Sequence, residues 1–123
     1  MAQYVPTVSE SDIERIIQRD YSRDLHAAIH EMIRSIEVRE KARVILACLK
    51  NGNGDFQKLK GELTNAEGWW REIISEAEYP NYTKKMFRID RLSEMEKERI
   101  IEKDKNQYLA WLHGNSPSRK NEA

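Results

Sequence analysis

Apolar residues recur at intervals of three and four along most of the chain, which is the spacing of one face of an α-helix. The most regular run lies between residues 56 and 77 and consists of Phe56, Leu59, Leu63, Ala66, Trp70, Ile73 and Ala77. No stretch alternates apolar and polar residues for long, so the pattern does not indicate strands. The sequence therefore predicts an all-α fold, a small helical bundle.

Two helices of this bundle are predicted to form an antiparallel hairpin, over about 38–50 and 56–78. The turn between them is Asn51–Gly54, and Asp55 is placed to cap the second helix. A C-terminal helix is predicted over about 94–113. Its start at Ser93 is marked by Glu96 three residues later, in the manner of a capping box, and Gly114 follows its end.

The first half of the chain is less uniform. Ser9 followed by Asp12 predicts the start of a helix that runs to about Tyr21. Between residues 22 and 50 the apolar stripe changes to the nearly opposite face of a helix after Ile36. Either the helix breaks there, or one long helix contacts different partners on its two sides, which would suit a homodimer or a protruding arm.

These elements predict a single helical domain over residues 1–113. Within it, residues 1–21 are either docked on the bundle or loosely attached, and the sequence leaves both alternatives open. Residues 114–123 contain no apolar residue except the final alanine, so we expect a disordered tail.

The composition excludes several classes of function. Lysine plus arginine and aspartate plus glutamate number 21 each in 123 residues, so no net charge attracts nucleic acid, and we do not expect a nucleic-acid partner. The first ten residues do not resemble a signal peptide, and the longest apolar run, Val44–Leu49, is far shorter than the roughly 20 residues of a membrane span. We therefore expect a cytoplasmic protein without a membrane segment, and neither a cofactor nor a metal ion.

Two arginine–histidine pairs are the candidate catalytic residues. Arg19 and Arg23 each lie seven residues before a histidine, His26 and His30 respectively. This spacing resembles the signature of HEPN ribonucleases, and the resemblance implies that the arginine neutralises the RNA phosphate while the histidine transfers a proton. The two histidines lie four residues apart on a predicted helix but lack a third ligand for a metal ion. Cys48, the only cysteine, lies in the most apolar stretch and is expected to be a core residue rather than a nucleophile.

A basic segment follows the predicted hairpin. Lys84, Lys85 and Arg88 are interleaved with Tyr82 and Phe87, and such a combination can contact a single-stranded nucleic acid. The alternative, which we favour, is a solvated connector whose aromatic residues cover the end of the bundle.

Candidate interface residues are Trp69, Ile29 and Ile33. Trp69 adjoins Trp70 but lies about 100° from it on a helix, beside the apolar stripe rather than on it. Either the terminal helix covers Trp69, which we favour, or the ring contacts a partner chain.

Two segments resemble small, uncharacterised bacterial helical proteins. They are Ala77-Glu78-Tyr79-Pro80 and the helix Asp104–Leu112, which reads Asp-Lys-Asn-Gln-Tyr-Leu-Ala-Trp-Leu. The resemblance covers about residues 38–112 and implies a bacterial origin and packing of the Tyr-Pro corner against the Tyr108–Leu112 end. It implies no activity.

No catalytic set assembles from these patterns. The sequence favours a non-catalytic helical protein–protein interaction or regulatory protein, homodimeric, whose partner is another protein or a second copy. The alternative is a HEPN-like protein that binds or cleaves RNA.

Overall fold

The computed structural model describes residues 5–85 and 90–114. Within these residues the protein has seven α-helices and no strand, so the predicted all-α bundle is confirmed. The helices are α1 (Glu10–Asp20), α2 (His26–Arg34), α3 (Lys41–Gly52), α4 (Phe56–Asn65), α5 (Trp70–Glu78), α6 (Pro80–Lys84) and α7 (Glu94–His113). Of the predicted tail, residues 115–123 lie outside the described residues.

Side-chain caps fix several helix starts where the sequence predicts them. The Asp55 carboxylate accepts hydrogen bonds from the backbone N–H groups of Gln57 and Lys58, at 2.9 and 3.2 Å. The Ser93 hydroxyl accepts one from the backbone N–H of Glu96 at 3.1 Å. Each cap provides an acceptor for N–H groups that the first turn of a helix leaves without an intrahelical partner.

The change of apolar face after Ile36 is explained within one chain. α2 ends at Arg34 and α3 begins at Lys41, and the link between them holds Ile36 in the core with 7% of its surface exposed. Glu40, the last residue of the link, has a left-handed backbone (φ 49°) that redirects the chain into α3. The opposed stripes therefore lie on two separate helices, and the pattern does not require a second copy.

The helix predicted over about 56–78 is two helices in the structure. α4 ends at Asn65, α5 begins at Trp70, and residues 66–69 form a turn. α3 packs against both α4 and α5, so the two-helix hairpin is replaced by a group of three helices. The predicted apolar stripe nevertheless faces the core: all seven of its residues are buried or half-buried.

α3 is the centre of the core. All six residues of Val44–Leu49 are fully buried, with 0% exposure. α1 packs on the same helix, and its Ile16 and Ile17 are also at 0%. Residues 10–20 of the N-terminal segment therefore pack on the bundle.

α7 packs on the corner between α5 and α6. The Asp104 carboxylate accepts hydrogen bonds from the backbone N–H groups of Asn81 and Tyr82, at 3.1 and 2.9 Å, and so caps the first turn of α6. The Gln107 amide donates to the carbonyl of Ala77 at 3.0 Å. The Tyr-Pro corner thus contacts α7 through residues just before the Tyr108–Leu112 end that the sequence indicated.

Candidate functional site

Arg19, one of the candidate catalytic residues, holds α1 to the end of α7. Its guanidinium donates hydrogen bonds to the carbonyls of Trp111 and Gly114 and to both carboxylate oxygens of Asp20. It also lies over the Trp111 ring, 5.4 Å from the centroid. Arg15 donates to the neighbouring carbonyl of Leu112 at 2.6 Å. A positive charge stabilises a helix C-terminus and satisfies its free carbonyls, so these arginines have a structural role.

The other three candidates lie in two different clefts. Arg23 and His26 line one, together with Gln18 and Tyr21, and His26 Nε2 lies 2.8 Å from the carbonyl oxygen of Tyr21.

His30 lines the second cleft, between α1, α2 and α3, where its Nε2 is 3.0 Å from a Glu14 carboxylate oxygen. Each cleft also contains an arginine, Arg23 beside His26 in the first and Arg34 beside His30 in the second, and neither combination is a pair that the HEPN-like spacing indicated.

The basic segment is only partly described. Lys84 and Lys85 are exposed, and Arg88 lies outside the described residues. Lys84 lines a groove together with Arg71, Glu72 and Glu76, so two carboxylates oppose two basic groups there.

Trp69 is the most exposed of the three candidate interface residues. Its side chain is 59% exposed, whereas Ile29 is fully buried in the core and Ile33 is half-buried. Ile29 is therefore not available at the surface for a partner. The terminal helix does not cover Trp69, contrary to the alternative that we favoured, and contact of the ring with a partner chain stays a prediction.

Trp69 lies in a groove between α4 and α5, with a volume of about 350 Å³. We call it the Trp69 groove; its lining residues are Glu62, Asn65, Trp69, Glu72, Ile73 and Glu76. The turn at residues 66–69 creates the groove, because it separates α4 from α5 and places Trp69 at the N-terminal end of α5. The backbone of Trp69 donates to Asn65 at 2.8 Å and accepts from Ile73 at 3.0 Å, so its position is fixed by main-chain bonds.

The Trp69 groove is acidic. Three of its six lining residues are glutamates and none is basic. Burial and the charge of Glu76 raise the pKa of Glu62, while a hydrogen bond from Asn51 and the charge of Lys58 oppose the rise. One oxygen of Glu62, Oε1, is enclosed and accepts no hydrogen bond.

Two other kinds of site are a metal centre and a reactive cysteine. No three histidine, cysteine, aspartate or glutamate side chains among residues 5–85 and 90–114 are grouped to hold a metal ion. Cys48 is fully buried, and burial raises the pKa of its thiol to about 12, which is far from the range of a reactive cysteine. No helix in the described part of the chain is long and apolar enough to cross a membrane.

Comparisons with models of known protein families, with curated proteins and with solved structures found no match to this chain. The resemblance to small bacterial helical proteins therefore stays a prediction.

Sequence reasoning named Trp69 but missed the groove around it. The three carboxylates are separated by ten and four residues and only come together because the chain turns at residues 66–69. Gly68 in that turn was the available signal, because glycine inside a helical pattern lowers the expectation that the helix continues.

Proposed function

We propose that this protein is a non-catalytic helical binding protein that contacts a protein partner through the Trp69 groove. The supporting observation is the 59% exposure of the Trp69 side chain at the edge of a groove. Covering the exposed part of a tryptophan is worth about 2–4 kcal/mol, and tryptophan is among the residues most enriched at the energetic centres of interfaces.

The contacts of the arginine–histidine candidates do not add support for RNA cleavage. The Arg19 guanidinium has acceptors in Trp111, Gly114 and Asp20, and its side chain is only 11% exposed. An arginine that neutralises a phosphate must present its donors to the substrate. Binding through an exposed aromatic residue is therefore the better-supported function.

The expected homodimer is a less suitable occupant of this surface. In a two-fold dimer the same patch of each copy meets its counterpart. Two Trp69 grooves facing each other would bring Glu62, Glu72 and Glu76 against their own copies, and like charges at an interface oppose association. We therefore propose a different protein as the partner.

The test is capture of partners from a lysate of the source cells by the tagged protein, by its Trp69→Ala variant and by a Met95→Ala control. Met95 is 62% exposed, so the control removes an equally exposed apolar side chain elsewhere. The proposal predicts a defined protein that the wild type and Met95→Ala retain and Trp69→Ala loses.

Two results would contradict the proposal. One is a set of captured proteins that is the same for all three chains. The other is recovery of RNA that disappears after nuclease treatment, which would favour the HEPN-like alternative and direct attention to Arg23 and His26. Light scattering with the purified protein at about tens of micromolar would test the homodimer separately, since weak association appears only at concentrations near its Kd.

A further inference from the structure

We propose that the Trp69 groove recognises a basic segment of the partner, with one lysine or arginine side chain lying against the Trp69 ring and a second between the carboxylates. This inference rests on the proposed function and adds the chemistry of the partner to it.

The first argument is the charge of the groove. Glu72 and Glu76 lie four residues apart on α5, so their side chains are neighbours on one helix face, and Glu62 faces them from α4. None of the three takes part in an ion pair within the described residues. Lys58 acts electrostatically on Glu62 and Lys50 on Glu76, and Arg71 and Lys84 line the adjacent groove on the other side of Glu72 and Glu76.

The second argument comes from the other two tryptophans of the chain. Arg19 lies 5.4 Å from the centroid of the Trp111 ring, and Arg71 lies 5.0 Å from that of Trp70. Among the described residues no cation lies over Trp69, although its ring is the most exposed of the three. An arginine or lysine from a partner would give Trp69 the contact that the other two already have within the chain.

The third argument is the state of Glu62. Its carboxylate is partly desolvated, lies within the electrostatic influence of Glu76 and lines the groove beside it. A guanidinium or ammonium group entering between Glu62 and Glu76 would reduce the repulsion between the two carboxylates. A neutral apolar segment would leave both carboxylates further desolvated without a partner, which is unfavourable.

The open form of the groove favours a peptide segment over a small ligand. Glu72 and Glu76 are exposed residues on the side of a helix, so they can receive side chains from a chain laid across α4 and α5. The glutamates also do not form a group that could hold a metal ion. A segment with two cations about one helical turn apart would match the spacing of Glu72 and Glu76.

The experiment uses the full chain and synthetic peptides. The probe is an acetylated, amidated alanine-based peptide with two arginines one helical turn apart, and the control peptide has glutamine at both positions. Binding is followed by NMR through the indole N–H resonance of Trp69, which is assigned with a Trp69→Phe variant. We expect the arginine peptide to shift this resonance and the glutamine peptide to leave it unchanged.

The chain offers a matched pair of variants. Glu72→Gln/Glu76→Gln removes two carboxylates of the groove, whereas Glu98→Gln/Glu102→Gln removes two exposed carboxylates with the same spacing on α7. We expect about a tenfold weaker affinity for the first pair, as two partly exposed ion pairs would give, and a change below about twofold for the second. Trp69→Ala should weaken binding by roughly five- to thirtyfold through loss of the cation–π contact, measured by isothermal titration calorimetry because this variant lacks the indole probe.

The outcomes separate this inference from the proposed function. If the captured partner requires Trp69 but tolerates Glu72→Gln/Glu76→Gln, the proposed function stands and the basic partner is refuted. Equal weakening by both glutamine pairs would show general attraction to an acidic surface and would overturn the inference. Spermidine that binds at the same resonance as strongly as the arginine peptide would assign the groove to a free polycation instead.

Discussion

The buried ion pair between Arg43 and Glu78 yields the sharpest prediction about stability. Arg43 on α3 donates two hydrogen bonds, both 2.8 Å long, to the carboxylate of Glu78, the last residue of α5. The side chains are only 15% and 3% exposed. Replacing Arg43 by methionine keeps an apolar stem of similar length but leaves the Glu78 carboxylate buried without its partner. We expect the free energy of unfolding to fall by about 3–5 kcal/mol at neutral pH.

The loss should depend on pH in a definite direction. Burial raises the pKa of Glu78, and the Arg43 guanidinium partly offsets that rise, so the pKa rises further in Arg43→Met. A carboxyl group whose folded-state pKa is raised stabilises the fold most below its unfolded pKa, and this contribution is lost as the pH rises through the folded-state pKa. The difference between variant and wild type should therefore shrink as the pH falls from neutral towards about 4, the ordinary pKa of glutamate.

Urea unfolding followed by circular dichroism at several pH values measures this difference. Arg34→Met is the control, because the Arg34–Glu31 pair is 73% and 76% exposed and its loss should cost less than about 0.5 kcal/mol. The double variant Arg43→Met/Glu78→Leu should recover most of the lost stability, since it removes both charges. A loss below about 1 kcal/mol in Arg43→Met, or one that grows as the pH falls, would refute the reasoning.

Three further substitutions test the contacts that position α1, α3 and α6, each by urea unfolding. Arg19→Met should cost about 1–2 kcal/mol, because it removes the positive charge at the end of α7 and the contact with Trp111; Gln18→Met on an exposed position is its control. Gly52→Ala should cost about 1–3 kcal/mol despite the helix preference of alanine, since the new Cβ would lie 2.5 Å from the Tyr21 hydroxyl. Asp104→Ala should cost about 2–3 kcal/mol and speed hydrogen exchange at the N–H of Asn81, because the start of α6 loses its buried acceptor. A change within experimental error in any of these would contradict the corresponding contact.

Helix ends were the most predictable part of the fold. α7 begins and ends at the predicted residues, Glu94 and His113, and α1 ends within one residue of the predicted position. The reason is that caps such as Ser93 act over three or four residues, so the sequence around them contains the whole interaction.

The break between α4 and α5 was not predicted because periodicity alone does not detect a turn that keeps the apolar residues in step. Ala66 is fully buried and continues the stripe, yet residues 66–69 are not helical. The stripe identified the core-facing residues correctly while giving the wrong helix count. The Trp69 groove depends on this turn, so its acidic lining could not be predicted either.

The role of Arg19 was beyond sequence reasoning for a different reason. Its acceptors at Trp111 and Gly114 lie more than ninety residues away in the chain, and the spacing to His26 therefore indicated chemistry that its contacts do not support. The exposure of Trp69 likewise depends on the packing of α7, a long-range contact. α7 packs against α5 and α6 rather than over the α4–α5 turn, so it leaves Trp69 uncovered.

The distribution of charge connects the fold with the proposed partner. Lysine plus arginine balance aspartate plus glutamate over the whole chain, but Arg15, Arg19 and Arg43 are bound to carbonyls or carboxylates that join helices. The Trp69 groove has three carboxylates and no basic lining residue, so we expect a local negative field there, although Arg71 and Lys84 lie beside Glu72 and Glu76 in the adjacent groove. Such a field increases the rate at which a basic segment associates and is screened over about 8–10 Å at physiological salt. The association rate of the true partner should therefore fall steeply with ionic strength, whereas dissociation, which depends on the Trp69 contact, should change much less.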